Sequence, residues 1–275
     1  MTDASGAANH CYRHPDHESY ILCQRCGRTI CPACRTEAAV GFHCLECVRE
    51  GRANTPRTKS RLLTSLKRAE GAPVVTYSLI GLTALVYLLQ LVSSGLVGAL
   101  LTYRPLFTEI MPWTMITSVF VHGSFLHILF NMFSLLIFGR ILEPMLGRLR
   151  FLALYLISGF GGSVAVLLLN PAGGVLGASG AVFGLFAAFF VIQRGLGGNG
   201  TQLLVLIAIN LAIGFLPGSN VSWQAHLGGL AVGALMAFLF MKTRGPRHRN
   251  RQILMTCSVL AALIIVSTLA ATTLT

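Results

Sequence analysis

The stretch of sequence that decides the fold is Leu176-Gly177-Ala178-Ser179-Gly180-Ala181-Val182-Phe183-Gly184, a turn of small residues that leads into an apolar helix. Two other apolar segments carry His127, Asn131 and His226. Polar side chains are costly in hydrocarbon unless they face a protein interior or a water-filled cavity, so inside a membrane they point to function. A serine and two histidines in such segments indicate hydrolysis inside a membrane.

The composition indicates a polytopic membrane protein. The chain is 54% hydrophobic and 11% charged, which leaves too little charge for an ordinary soluble surface. From Val74 onward, apolar runs near the ~20 residues that span a bilayer alternate with short polar breaks. A buried all-helical soluble core is the alternative interpretation. The predicted spans are Val74–Leu101, His127–Leu146, Phe151–Leu169, Ser179–Ile192, Leu203–Leu216, Gln224–Met241 and Ile253–Leu274.

The positions of lysine and arginine predict the orientation, because positively charged loops stay on the cytoplasmic side. Basic residues precede span one, flank the turn between spans two and three, follow span four, and fill the loop between spans six and seven; the intervening loops hold only Arg104. We therefore expect a cytoplasmic N-terminus, an external C-terminus and no cleavable signal peptide, since the first apolar run begins late. Charge split among juxtamembrane loops favours contact with anionic lipid over nucleic-acid binding.

Seven of the eight cysteines lie before residue 50 and, with one histidine, form regular pairs. The pairs are Cys11-x-x-His14, Cys23-x-x-Cys26, Cys31-x-x-Cys34 and Cys44-x-x-Cys47. Eight such ligands suffice for two closed tetrahedral zinc sites, in which the metal is structural. A disulfide framework is the alternative, but a reducing cytoplasm favours metal. Because this head is too short to bury a stable core, the metal would supply much of its folding free energy.

The order of the pairs resembles that of B-box and RING-like fingers, in which the first and third pairs bind one ion and the second and fourth bind the other. The resemblance implies two ligand sets: Cys11, His14, Cys31 and Cys34 for one ion, and Cys23, Cys26, Cys44 and Cys47 for the other. His10, His17 and His43 remain alternative ligands.

His127 and Asn131 lie four residues apart, which places them on one face of a helix, one turn from each other. Interhelical hydrogen bonding without catalysis is the alternative role. Counted from the expected cytoplasmic ends of their helices, Ser179, His226 and His127 each lie fifteen or sixteen residues along. That is roughly 22–24 Å within a hydrocarbon core of about 30 Å. We therefore expect the three side chains at one depth.

The fourth span is short, because Asn170-Pro171-Ala172-Gly173-Gly174 cannot continue a helix and must form a loop above Ser179. Irregular backbone at this depth is tolerated only where it lines a protein cavity. Ser179 would then stand at a helix N-terminus, where unpaired backbone N–H groups favour an oxyanion. A capping serine without catalytic function is the alternative.

His226 begins the sixth span, and Gly229 and Gly233 follow it in the small-x-x-x-small spacing that lets helices approach closely. This approach could bring the His226 imidazole to the Ser179 hydroxyl, as general base and nucleophile of a dyad. A triad is hard to build, because the apolar helices hold no aspartate. The missing aspartates and the absence of an H-E-x-x-H motif also disfavour aspartyl and metalloproteases.

Together these motifs resemble those of the rhomboid intramembrane serine proteases. The matching features are His127-x-x-x-Asn131 in the second span, Gly177-Ala178-Ser179-Gly180 with Gly184 in the fourth, and His226-x-x-Gly229-x-x-x-Gly233 in the sixth. The resemblance covers about Val74 to Met241. It implies that Ser179 and His226 are the catalytic dyad, and that His127, Asn131 and the Ser179 backbone N–H form the oxyanion hole.

Further positions extend the resemblance. Residues 139–143 match a Gly-Arg-x-x-Glu element that closes span two, where we expect a structural ion pair or cap. Phe183 lies one turn after the serine and could stack on the catalytic histidine. His122 matches a histidine expected to retain water or pack the loop. The loop between spans one and two departs from the family, because Trp113 is followed by Thr114 in place of arginine.

The expected fold is an all-α polytopic membrane protein, with a six-helix rhomboid core, a seventh C-terminal transmembrane helix and a small cytoplasmic zinc-binding head. The expected domains are a zinc-finger-like head in residues 1–50, a basic linker in 51–72, the protease core in 73–242, and a basic loop with the seventh helix in 243–275.

The resemblance implies an intramembrane serine endopeptidase that cleaves single-span transmembrane proteins near the outer membrane face. The compactness of the chain resembles that of a bacterial plasma-membrane protein, with a eukaryotic organelle as the alternative. Two structural Zn²⁺ ions in the head are the expected cofactors, with none for catalysis. Expected partners are the transmembrane substrates, membrane lipid and a protein partner of the head. The alternatives are a catalytically inactive rhomboid-like protein that binds membrane clients, and a transporter with the broken span four as its substrate site.

Overall fold

A computed structural model of the chain describes residues 9–38, 40–54, 72–216 and 221–274. The chain divides into two compact units, Met1–Lys67 and Arg68–Thr275, which we call the head and the membrane unit. Most of the predicted basic linker, residues 55–71, lies outside the described residues.

The head consists of two small antiparallel hairpins and a helix in its described residues. Strands β1 (His10–Cys11) and β2 (His14–Glu18) form the first hairpin, and β3 (Arg35–Glu37) and β4 (Phe42–Cys44) form the second. Helix α1 (Leu45–Asn54) follows directly and continues past the predicted domain boundary at residue 50. The buried cluster of the head contains six cysteines and Ile30. The core of the head is therefore made mostly of cysteine side chains.

The membrane unit is largely helical in its described residues. Its helices are α2 (Val74–Val92), α3 (Leu96–Leu101), α4 (Thr114–Thr117), α5 (Phe125–Leu146), α6 (Arg148–Leu169), α7 (Ser179–Gly195), α8 (Thr201–Ile213), α9 (Trp223–Lys242) and α10 (Arg249–Leu274). Within the described ranges, five helices are long and apolar enough to cross a membrane, namely α2, α5, α6, α9 and α10. Helices α7 and α8 are apolar but shorter.

A helix lies at each of the seven predicted spans, and five of these helices are long and apolar enough to cross a membrane. The first predicted span needs a correction. Span one was predicted to run from Val74 to Leu101, but α2 ends at Val92 and the short helix α3 starts separately. Ser94 and Gly95 separate the two helices, with φ angles of 49° and 91°. This left-handed backbone is incompatible with a continuous α-helix. The Ser93-Ser94-Gly95 run was the sequence signal for this break.

Helices α6, α7 and α9 pack most closely, because glycines remove the side chains between them. A Cβ atom added at Gly229 of α9 would overlap the carbonyl oxygen of Gly180 in α7, and one at Gly233 would overlap the backbone of Gly184. In the most apolar 18-residue stretch of α6, 67% is buried, whereas only 6% of the corresponding stretch of α10 is buried. Helix α6 is thus a central helix, and α10 lies at the periphery of the unit.

The start of α2 is fixed by Glu143 near the end of α5. The carboxylate of Glu143 accepts hydrogen bonds from the backbone N–H groups of Val75 and Thr76 at 2.9 and 2.8 Å, and from the Thr76 hydroxyl at 2.7 Å. These are N–H groups that the first turn of a helix leaves unpaired. Of the two predicted structural roles for residues 139–143, the structure therefore confirms the cap.

Candidate functional site

Ser179 is the first residue of helix α7, as predicted, and it follows a turn that only glycine can make. Gly177 has a φ of 115°, and its N–H donates to the carbonyl of Ser118 at 2.9 Å. A Cβ at Gly177 would come within 2.6 Å of the His127 ring. The His127 imidazole therefore packs directly on the turn that carries Ser179, and a larger residue at position 177 would displace it.

His226 lies in the first turn of α9, where the Ser222 hydroxyl caps the helix by accepting from the Ala225 N–H at 3.3 Å. The His226 ring is buried and stacked on Phe183, with ring centroids 3.9 Å apart and an angle of 10° between the planes. This confirms the predicted aromatic support. Because Ser179 and Phe183 are four residues apart, they share one face of α7, and His226 lies against that face.

The two dyad candidates lie on the closely packed helices α7 and α9, without a direct hydrogen bond between them in the described residues. No hydrogen bond within the described residues joins the half-buried Ser179 hydroxyl to His226. The His226 Nδ1 atom is buried and has no hydrogen-bond partner. Stacking on Phe183 holds the plane of the imidazole.

The oxyanion candidates lie on α5, with different burial. Asn131 is buried, and its side-chain N–H donates to the backbone carbonyl of His127 at 2.9 Å. An amide carries two donor hydrogens, so the second remains for another acceptor. The half-buried His127 ring contacts the His122 ring edge-on, with centroids 4.9 Å apart. His127 thus packs on the turn that carries Ser179, and Asn131 bonds the His127 carbonyl one helical turn further along α5.

His122 packs the loop that precedes the candidate nucleophile. Its Nε2 accepts the Ala178 N–H at 3.4 Å, and its Nδ1 lies 3.4 Å from the Phe120 carbonyl. These partners fit one neutral tautomer, with Nδ1 as donor and Nε2 as acceptor. Of the two predicted roles, the contacts favour loop packing.

Gln90 is a residue of the site that the sequence reasoning missed. Its side chain accepts the His122 N–H at 3.0 Å and donates to the His122 carbonyl at 3.3 Å. The Gln90 side chain from α2 therefore bonds both the N–H and the carbonyl of His122. The sequence signal that could have identified Gln90 was a single amide side chain in the otherwise apolar C-terminal half of α2.

The structure brings the eight predicted metal ligands together in the head, in the predicted sets. The ligand atoms of Cys11, His14, Cys31 and Cys34 lie within 4.8 Å of one another, as do those of Cys23, Cys26, Cys44 and Cys47. His10, His17 and His43 belong to neither cluster within the described residues. The two groups of four could each hold a metal ion.

The geometry of both clusters fits a tetrahedral ion. The Cys31 and Cys34 sulfurs lie 3.5 and 3.4 Å from His14 Nδ1, and the Cys26 and Cys44 sulfurs are 3.7 Å apart. A tetrahedron with zinc–sulfur bonds of about 2.3 Å has edges of about 3.8 Å. The Cys26–Cys44 separation is too long for a disulfide bond, whose sulfurs lie about 2.05 Å apart, and all the cysteines of the two clusters are free.

Burial and crowding change the pKa values of the cluster thiols. Burial and the neighbouring thiols of Cys31 and Cys11 raise the pKa of Cys34 to about 11. A divalent cation would reverse that shift, because metal binding requires and stabilises thiolates. Backbone N–H groups already donate to two sulfurs, from Cys44 to Cys23 at 3.2 Å and from Cys47 to Cys44 at 3.4 Å. Such bonds are the outer-shell support expected of metal-bound thiolates.

A serine at a helix N-terminus, a ring-stacked histidine on a neighbouring helix and a glycine-mediated crossing define a membrane-embedded protein of the rhomboid class. Residues 109–243 match the sequence model of the Rhomboid domain. The putative rhomboid protease YdcA of Bacillus subtilis (strain 168) is 37% identical over 142 residues, which cover 50% of this chain and 71% of that protein. The chain belongs to the rhomboid family, and it is a multi-pass membrane protein.

Two further relatives are also similar to this chain. RHOMBOID-like protein 1 of Arabidopsis thaliana is 42% identical over 136 residues, which are 47% of this chain and 34% of that protein. Rhomboid protease GluP of Bacillus subtilis (strain 168) is 33% identical over 178 residues, which are 61% of this chain and 35% of that protein. The chain therefore spans about a third of the length of these two relatives.

Proposed function

We propose that this chain is an intramembrane serine endopeptidase that cleaves transmembrane substrates near the outer membrane face with a dyad of Ser179 and His226. Ser179 Oγ attacks the scissile carbonyl, and the imidazole of His226 takes the proton and returns it to the leaving amine. His127, Asn131 and the Ser179 backbone N–H stabilise the tetrahedral oxyanion. No metal takes part in this chemistry.

The observation that carries this proposal is the stacking of His226 on Phe183, one turn after Ser179 on the same helix face. A rigid imidazole beside a serine at a helix N-terminus supplies a base, a nucleophile and an oxyanion donor within one turn of helix. That two Bacillus subtilis relatives are named as proteases supports the same reaction class.

The substrate class follows from the position of the site. A transmembrane helix must unwind locally before a serine can reach its carbonyl carbon, because each carbonyl is otherwise bonded within the helix. Substrates with glycine, proline or small residues near the cut should therefore be preferred, since such residues weaken a helix. Single-span proteins are the proposed substrates.

A catalytically inactive, client-binding rhomboid is the second candidate, because no hydrogen bond joins Ser179 to His226 among the described residues. The peptidase interpretation is preferred, since catalytic hydrogen bonds often tighten only when substrate is bound.

Cleavage of a model transmembrane substrate by the purified chain distinguishes the two candidates. We expect activity to be lost in Ser179→Ala and in His226→Ala. A suitable control is Ser258→Ala, which removes an exposed hydroxyl on α10 that bonds only the Leu254 carbonyl among the described residues. Binding without cleavage by the wild-type chain would establish the inactive alternative.

We further propose that the head holds two structural zinc ions and recruits a protein partner. We also propose a cytoplasmic N-terminus in a bacterial plasma membrane, on the distribution of basic loops. Reporter fusions at each terminus test this orientation. We expect the N-terminal reporter to be cytoplasmic and the C-terminal reporter to be external.

A further inference from the structure

A cavity of about 600 Å³ lies between segment 108–116 and the C-terminal half of α10, apart from the proposed catalytic groups. Its buried wall includes Met115, Phe160 and Ala271. It lies at the Ser179 end of the unit, because the connection that contains segment 108–116 pairs with the turn before α7 through Tyr103 and Val175. The size is within the range of small-molecule sites.

The walls of this cavity present almost no free polar group. The hydroxyls of Thr108, Ser267, Thr268 and Thr272 each donate to a backbone carbonyl three or four residues earlier, at 2.6 to 3.0 Å. Their methyl and methylene groups are left to line the space. A polar ligand would lose its hydrogen bonds to water without replacement, which is unfavourable. The occupant should therefore be a hydrocarbon.

The mouth of the cavity differs from its walls in carrying a charge. Glu109 lines it and is exposed, and no ion pair of this carboxylate exists among the described residues. Trp113 lies beside it, half exposed, with its indole N–H donating to the Leu100 carbonyl at 3.0 Å. Tryptophan is enriched where membrane meets water. The site thus combines an apolar interior with an anionic, interfacial rim.

The size of the cavity suits an acyl chain better than a transmembrane helix. A helix is about 10 Å wide with its side chains, so 600 Å³ holds only roughly five residues of it. A flexible acyl chain is much thinner. Helix α10 is also held elsewhere, since Gln252 near its start accepts from Arg150 at 2.6 Å and donates to the Thr243 hydroxyl at 2.8 Å. Its C-terminal half lies against the cavity.

We propose that this cavity binds an acyl chain of a phospholipid whose cationic ammonium headgroup pairs with Glu109, as in phosphatidylethanolamine. The lipid would fill the space between α10 and segment 108–116 and join the two. This site is independent of the proposed peptidase activity, because none of the catalytic groups lines it.

The test is native mass spectrometry of the full chain released from bilayers that contain phosphatidylethanolamine and phosphatidylglycerol with identical acyl chains. We expect one retained lipid, with phosphatidylethanolamine preferred by about threefold, the size of an exposed ion-pair effect. Glu109→Gln should abolish this preference and keep the lipid. Thr268→Phe, which fills the cavity, should abolish retention of both lipids.

Thr273→Phe is the matched control, because Thr273 is exposed on the same helix and does not line the cavity. It should retain lipid as the wild type does. Equal loss of lipid in Thr268→Phe and Thr273→Phe would overturn the proposal. So would a wild-type chain without bound lipid, a preference for phosphatidylglycerol, or an unchanged preference in Glu109→Gln. Glu109 is exposed, so its variant tests the headgroup even if Thr268→Phe misfolds.

Discussion

In the head, cysteine and histidine side chains converge until the ligand atoms of each cluster lie within 4.8 Å of one another, and those same cysteines are most of its buried core. In the membrane unit, histidines instead pack by their ring faces and edges, against Phe183 and against each other. Glycine-mediated helix contacts provide the framework there. We therefore expect the head to need an added ion for its folding, and the membrane unit to use its folding to hold the proposed catalytic groups in place.

The largest expected effect is the unfolding of the head when its metal is removed. We expect two zinc ions per chain, with a binding free energy of about 10–16 kcal/mol per site at pH 7. A strong chelator should release both ions and unfold the head, while the helices of the membrane unit remain folded and active. Metal analysis with circular dichroism and a cleavage assay measures all three.

Single cysteine variants sharpen this prediction. Cys34→Ser should lower the count to one ion, because it removes a ligand of one cluster only. Cys257→Ser is the control, since that exposed cysteine on α10 belongs to neither cluster, and it should keep two ions. A wild-type count of zero or one would contradict the two-site account.

The second prediction concerns the crossing of α7 and α9. Gly229→Ala should destabilise the membrane unit by about 2–3 kcal/mol, because its methyl group overlaps the Gly180 carbonyl. Gly81→Ala on α2 is the matched control, with no atom within 4 Å of the added methyl, and it should be neutral or stabilise by up to about 1 kcal/mol. Unfolding in mixed micelles measures both, and equal stabilities would show that the crossing tolerates a side chain.

The third prediction separates catalysis from structure in α5. His127→Ala and Asn131→Ala should each lower turnover by up to about a hundredfold, with little change in KM. Asn210→Ala is the control, because Asn210 on α8 makes the same intrahelical bond to a carbonyl four residues earlier. It should retain full turnover. A change in KM alone would assign the α5 pair to substrate binding.

The smallest expected effect is at His122, which positions the Ser179 turn through the Ala178 N–H. Loss of one neutral hydrogen bond in His122→Ala should reduce kcat by about fivefold at unchanged KM. His122→Gln can still accept this N–H, so it should recover most of the rate. If glutamine rescues nothing, the histidine does not act through that bond.

Much of this architecture could be predicted from local sequence. The spans follow from long apolar runs, and the start of α7 at Ser179 follows from the Pro-Gly loop before it. The stacking of Phe183 on His226 was predictable because i, i+4 spacing fixes the face of a helix. The resemblance to rhomboid proteases added the catalytic roles. Taken one at a time, Ser179, His127 and Asn131 also fit structural roles.

The parts that local sequence could not supply are long-range contacts. Gln90 and His122 are 32 residues apart, and no periodic pattern joins an amide in one helix to the backbone of a loop. The cavity beside α10 arises between elements more than a hundred residues apart in the chain. The break after Val92 was readable in its Ser-Ser-Gly run, but the surrounding apolar residues favoured a single long span.

The central claim is that Ser179 is a nucleophile activated by His226. The most direct measurement is labelling of the full chain with a fluorophosphonate, followed by peptide mass spectrometry. The account predicts one label per chain, located on Ser179, and its loss in His226→Ala. Labelling on another serine, or undiminished labelling in His226→Ala, would contradict it.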